Sequence, residues 1–481
     1  VKKKLLKCFM IILELLVFLV GIFFLSISFS GLGNLFTLKL KSDFFLDIFC
    51  GLIITSLIVT FIHFFSKINF LIAGSIFSIG IILFFLKKNT SIFLQKKDIF
   101  LYFIIAFLLL PIFISQKYHE DFGYYHLPYS LAFIEEKIVF GFANIDIPYV
   151  YNSIWLNLYP IFFIENKNFD FLTLPSFLLF LSFIIFTIRN IIEKKDRIKN
   201  SDYFLIVILF YFLLKFTRIS EFGVDFPAII FSVLSIYYFI KFYETKENLD
   251  KKSFFYFNLF FAIFAILIKL SAALIIILPI FLFLTNFKDL KFYILSLRFL
   301  AISFLCIIFF VQQFIYTGCF LFPTTLTCLN VSWFNPEHID LSKRLELINK
   351  SYSSAKGIYS PEEYLSNFNW FLIWIKRNFK EILEHLMTMI LPILIFVLVS
   401  KKKLGTILVF EKKLILFFFI ILSLIFWLNY SPVLRFAIHI YITLIFLFFS
   451  KILISKEFSK KKFIIFISVF LVFNFSKNVL R

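Results

Sequence analysis

The chain has 481 residues, of which 61% are hydrophobic and 16% charged, against about 25% charged in a typical soluble chain. A net charge of +20 would suggest nucleic acid in a soluble protein, but here the lysines sit in short clusters between long apolar runs. Composition therefore sets aside a soluble enzyme and a nucleic-acid partner, and points to a multi-pass membrane protein among membrane lipids.

The apolar runs are long enough to cross about 30 Å of hydrocarbon at 1.5 Å per residue. Lipid offers backbone groups no water to bond, so each run is expected to be helical. In chain order the expected spans are 8–30, 44–65, 68–86, 99–116, 170–192, 201–216, 227–243, 253–268, 272–286, 294–314, 382–400, 413–429, 433–450 and 463–476. The expectation is an all-α polytopic bundle of about 13–14 transmembrane helices. The first run has a basic start and an apolar stretch too long for a signal-peptide core, so it is read as a retained helix. Much of the Phe, 79 residues in all, is expected to face lipid.

Two kinds of interruption alternate between these runs. Basic ones fall at 87–97, 194–199, 246–252, 288–291, 401–413 and 456–462. The others, at 116–168, 217–227, near Lys269, 316–380 and 429–436, hold most of the Trp, Pro, His and acidic residues outside the lysine clusters. The positive-inside rule puts the lysine clusters in the cytoplasm and the second set outside. That assignment requires the chain to start outside, although Lys2, Lys3, Lys4 and Lys7 prefer the inside. The chain divides into N-terminal helices 1–98, a core 99–450 with outward loops 117–168 and 316–380, and a C-terminal piece 451–481. Within the second loop, 340–349 and 362–379 are expected to be short helices on the membrane surface.

Chemistry concentrates in the outward set. Glu120, Asp121, Tyr125 and His126 follow the fourth span directly. Carboxylates and imidazoles at a membrane edge are costly to desolvate, which makes them functional candidates against the plainer reading of a solvated loop. A carboxylate there suits proton abstraction from a hydroxyl, and Glu120 with His126 suits a divalent cation such as Mg or Mn. Farther on, Asn144 fits a turn, and Asn152 and Trp155 fit an interfacial belt. Arg218, Glu221 and Asp225 would share one helical face, but Gly223 and Pro227 favour a loop with Asp225 capping the next helix. Cys319 and Cys328 in the second loop suit a disulfide on an oxidising face, while Cys8, Cys50 and Cys306 lie in apolar runs. Trp333 suits stacking on a sugar ring or a belt position. Arg435, opening a late helix, suits a phosphate through its two-pronged guanidinium, or a lipid headgroup by snorkelling.

The acidic pair just past a helix, followed by an amphipathic outward loop, resembles the GT-C superfamily of membrane glycosyltransferases. The run Asp121, Tyr125, His126, Gly141, Phe142, Ala143, Asn144, Asn152, Trp155, with 218–225 and the residues Gly318, Cys319, Pro323, Cys328, Trp333, resembles a group of uncharacterised bacterial membrane proteins of similar architecture. The resemblance implies a polyprenyl-phosphate-linked sugar donor and a glycan, lipid or protein acceptor at the outer face of a bacterial inner membrane. It implies Asp121 as base, Glu120 or His126 as metal or phosphate ligand, and Arg435 as ligand of the donor phosphate. The chain departs from classical members in having about three helices before the motif and no sizeable C-terminal soluble domain. Two rivals remain: a polysaccharide polymerase or ligase leaning on Arg344 and Arg377, and a lipid-linked glycan transporter or flippase leaning on His63 and Lys269.

Overall fold

A computed structural model describes residues 2–87, 95–114, 120–164, 169–194, 198–216, 223–291, 295–401, 412–456 and 458–480. Each expected span is a helix, written here in chain order with the shorter helices between them. They are α1 (Lys2–Thr37), α2 (Phe44–His63), α3 (Phe70–Leu86), α4 (Lys96–Ile114), α5 (Leu127–Glu135), α6 (Leu174–Ile192), α7 (Asn200–Lys215), α8 (Asp225–Glu244) and α9 (Asn248–Ile268). There follow α10 (Ile277–Thr285), α11 (Phe287–Leu290), α12 (Leu297–Thr317), α13 (Glu337–Asn349), α14 (Pro361–Leu365), α15 (Asn369–Val399), α16 (Lys413–Tyr430), α17 (Ile438–Ile454) and α18 (Lys460–Val479). Eleven helices among the described residues are long and apolar enough to cross a membrane, and the shorter apolar helices Phe70–Leu86 and Leu270–Thr285 accompany them. The protein is a polytopic all-helical bundle.

Local chemistry sets the helix ends. Asp43, Asn69, Ser296 and Ser459 accept a hydrogen bond from the backbone three residues on, satisfying a donor that the first turn leaves open. Gly318, at φ 79°, ends α12 in the left-handed conformation that glycine adopts without a Cβ penalty.

The helices alternate between two ends. Thr37, Asp47 and Lys87 join at one of them, where Thr37 and Lys87 donate to Asp47 at 2.7 and 2.9 Å. Arg189 faces Asp98 at 3.6 Å, Lys41 pairs with Asp250 at 2.7 Å, and Lys194 pairs with Asp202 at the same end. This is the basic end. Loops 120–164 and 318–368 lie at the opposite end, with the breaks at 223–224, 269 and 431–437. There Ile138 donates its backbone N–H to His63, Gly141 to Ile315, and Ile154 to Leu267. Because α1 finishes at the basic end, its earlier part points to the other one, and Phe18 meets Phe113 and Phe171 there. The N-terminal lysines thus yield to the packing of the later helices.

Two expectations change. The Phe residues divide between lipid and core. Phe177, Phe180, Phe183, Phe204, Phe210, Phe226 and Phe231 are buried around α6, α7 and α8, which other helices surround. Edge-to-face pairs such as Phe180–Phe226 and Phe231–Phe264 give those rings specific partners. The surface helix expected over 362–379 also divides. Phe368, at φ 58°, separates the one-turn α14 from α15, which runs unbroken through its 31 residues. At 1.5 Å per residue α15 is about 46 Å long, so its first turns rise beyond the hydrocarbon.

Candidate functional site

Four chain segments converge at the end opposite the basic one. The first begins at Asp121, where a single π-turn (Phe122–His126) leads into α5. Its extra residue per turn rotates Tyr125 and His126 inward, and such turns recur at functional sites. Gly223, at φ 47°, passes directly over His126, and a Cβ built on it would lie 2.5 Å from the His126 Cε1. Only glycine meets both conditions, so the approach to α8 is fixed by one residue. Gly223→Ala is expected to destabilise the protein by about 1–2 kcal/mol through the left-handed backbone alone. It should also displace His126, which thermal unfolding and the His126 imidazole NMR signal would register together. An unshifted signal at wild-type stability would show that the passage is loose.

Asp225 opens α8. Its side chain does not cap the helix, as the sequence suggested, because it is turned toward two cations. Lys269 pairs with one carboxylate oxygen, and the Arg435 Nε lies 2.6 Å from the other. The Asp225 side chain is 6% exposed, so these cations compensate a desolvated charge. Arg435 also reaches Asp121, with its terminal nitrogen 3.8 Å from the carboxylate, which is 37% exposed. Asp225 is therefore the buried anchor and Asp121 the carboxylate open to water. Lys269 occupies the break between α9 and the short turn Leu270–Ile276, with its ammonium over the Phe436 ring. Burial lowers its pKa and Arg435 adds to that, while Asp225 opposes both. Tyr125 is held protonated mainly by burial, then by Asp121 and Asp225, so its hydroxyl is available as a donor.

Two adjoining cavities share Asp225, Lys269 and Arg435. The outer one, about 210 Å³ with its mouth, is lined also by Asp121, Tyr125, His126 and Gly223. The inner one, about 200 Å³, continues along α8 and α17 to Ser232 and His439.

The remaining candidates lie elsewhere. Glu120 is exposed and outside the lining of either cavity, while His126 is buried in the outer one. No group of three His, Cys, Asp or Glu side chains suited to a metal ion comes together among the described residues. Arg218 and Glu221 fall outside the described residues. Asn144 donates to the Trp333 carbonyl at 2.9 Å, and the Trp333 indole donates to the Phe314 carbonyl at 3.2 Å. The two residues thus tie the outward loops together. Cys319 and Cys328 are disulfide-bonded in the same loop. Trp155 is fully buried rather than at an interfacial belt. Its indole donates to Ser176 at 3.3 Å, and its ring meets Phe231 and Phe264.

Asn152 belongs to a buried network. The Tyr129 hydroxyl shares its proton between Asn152 (2.7 Å) and Asn157 (2.8 Å), and both amides donate to the Gln312 carbonyl oxygen. Gln312→Leu would leave those groups unsatisfied and is expected to cost about 1–3 kcal/mol, readable by thermal unfolding. An unchanged midpoint would mean that the amides find other partners.

Lys269 and His439 were missing from the sequence-level site. The signal for Lys269 was a lone charge between two apolar runs. His439 gave a weaker one, a histidine four residues after Arg435. A family model described as "Domain of unknown function (DUF8201)" matches residues 8–442, an interval that contains every residue lining the two cavities. No curated protein and no solved structure matches the chain.

Proposed function

The chain belongs to the DUF8201 family, and we propose that it is a GT-C-like glycosyltransferase of a bacterial inner membrane, acting on the outer face. It moves a sugar from a polyprenyl-phosphate carrier to a glycan, lipid or protein acceptor. One observation carries this reading. A water-accessible carboxylate, Asp121, stands beside Arg435 and Lys269, at the membrane end where a lipid-linked phosphate would arrive.

Asp121 takes the proton from the acceptor hydroxyl, and the hydroxyl oxygen attacks the anomeric carbon. The bond from that carbon to the phosphate oxygen breaks, and polyprenyl phosphate leaves with the electron pair. Arg435 presents a flat two-pronged donor and Lys269 a point charge to the departing phosphate. Asp225 holds both cations in place. The donor set does not suit a divalent cation, because Asp225 is already taken by Lys269 and Arg435, and no step is routed through one.

The rivals have less support. Arg377 is tied to Ser353 and Ser354 at 2.6 and 2.9 Å, which suits a brace of the outward loop better than a polymerase site. Lys269 follows a 21-residue helix and so lies at a membrane edge, whereas a transporter would place its charge at mid-depth. The test compares lipid-linked sugar pools and surface glycans in cells carrying wild type or Asp121→Asn at equal protein levels. Accumulation of one polyprenyl-phosphate sugar with loss of that sugar from the glycans supports transfer, and unchanged pools and glycans refute it.

A further inference from the structure

The inner cavity extends from the ion pairs toward the membrane interior. Ser232 lies two turns into α8 beyond Asp225, about 10 Å at 1.5 Å per residue. His439 lies one turn past Arg435 and is 3% exposed. Ser271 and Ala272 close the third side, and Ala228, Ile229 and Phe436 supply apolar wall. The Ser232 hydroxyl is fully buried, lines this cavity, and has no hydrogen-bond partner among the described residues. A buried polar group without a partner costs roughly 1–3 kcal/mol, and a ligand that bonded it would recover that cost.

The chemistry of the walls restricts the ligand. A serine hydroxyl and a neutral imidazole each donate and accept, so their complement is a group that also does both. A carboxylate or phosphate entering this far would pass the Asp225 carboxylate, and an ammonium would pass Lys269 and Arg435. A neutral hydroxyl on a small apolar stem meets neither barrier. We propose that the inner cavity receives a hydroxyl-bearing substituent of the transferred sugar, with Ser232 and His439 as the residues that select it. The proposal rests on the glycosyl-transfer reading for the identity of its ligand, and on the cavity for its chemistry.

The test is saturation-transfer NMR on the full chain in lipid nanodiscs, with methyl glycosides of glucose, galactose and N-acetylglucosamine as probes. The hydroxymethyl protons of a bound glycoside are expected to receive the strongest saturation, and its 6-deoxy analogue is expected to bind more weakly. Ser232→Ala removes a hydroxyl that no protein group bonds, so the fold is kept and only the ligand contact is lost. It is expected to weaken binding roughly two- to tenfold, the size of one neutral hydrogen bond. His439→Gln should weaken it similarly. No saturation from any of the three glycosides, or wild-type affinity in both variants, overturns the proposal. Asp121→Asn separates the two readings, because it lines the outer cavity alone and should leave glycoside binding intact. Binding that depends on Ser232, with sugar pools indifferent to Asp121→Asn, would keep the inner seat and discard transfer.

Discussion

Asp225→Ala is expected to lower folding stability by about 3–5 kcal/mol, the usual cost of removing one partner from a buried ion pair. The carboxylate offers one oxygen to Lys269 and the other to Arg435, and its loss strands both cations. Arg435, with 31% of its side chain exposed, can turn toward water, whereas Lys269 sits between two helical segments under the Phe436 ring. The stranded lysine should therefore dominate the cost. Replacing Lys269 by Met in the same chain should restore about half of it, giving a coupling energy well above the few tenths expected of independent sites. Chemical or thermal unfolding in nanodiscs supplies all four corners of this cycle. A loss below about 1 kcal/mol in the single variant would show that water already screens the pairs.

Much of this arrangement was legible in the sequence, for physical reasons that also explain the gaps. Hydrocarbon demands long apolar helices, so every span could be read from the runs alone. Asp121, Asp225 and Arg435 stood out because charge beside such runs is costly, and the fold brings the three together. Their pairing was not legible, since some 100 to 210 residues separate them and nothing local encodes the contact. Asp225 looked like a helix cap because an acid before an apolar run usually is one. Only the position of Lys269 and Arg435 shows where its oxygens point. Lys269 was ambiguous for a different reason. A lone lysine between two apolar stretches reads alike at a membrane edge and at mid-depth, and the 21-residue length of α9 decides it. Trp155 misled because an aromatic beside a loop resembles a belt residue, yet here the loop itself is packed under α6, α8 and α9.

Asp121→Asn is expected to reduce sugar transfer by about 10²- to 10⁴-fold, the contribution of a positioned general base, with little change in stability. The two effects separate because of where the charge sits. Asp121 is more than a third exposed and 3.8 Å from Arg435, so its pair with that residue is worth at most about 1 kcal/mol. Asn keeps the shape and can still face the guanidinium, but it cannot take a proton. Arg435→Lys supplies the contrast. It retains the positive charge and loses the fork that spans Asp121, Asp225 and, by the proposed mechanism, two phosphate oxygens. Its deficit should fall on donor affinity and on turnover together, while Asp121→Asn should spare donor affinity. A purified assay with a polyprenyl-phosphate sugar, run at saturating and limiting donor, measures both. If Asp121→Asn transferred at the wild-type rate while Arg435→Lys failed, proton abstraction would pass to another group, and Tyr125, the next hydroxyl in the outer cavity, would be the one to replace.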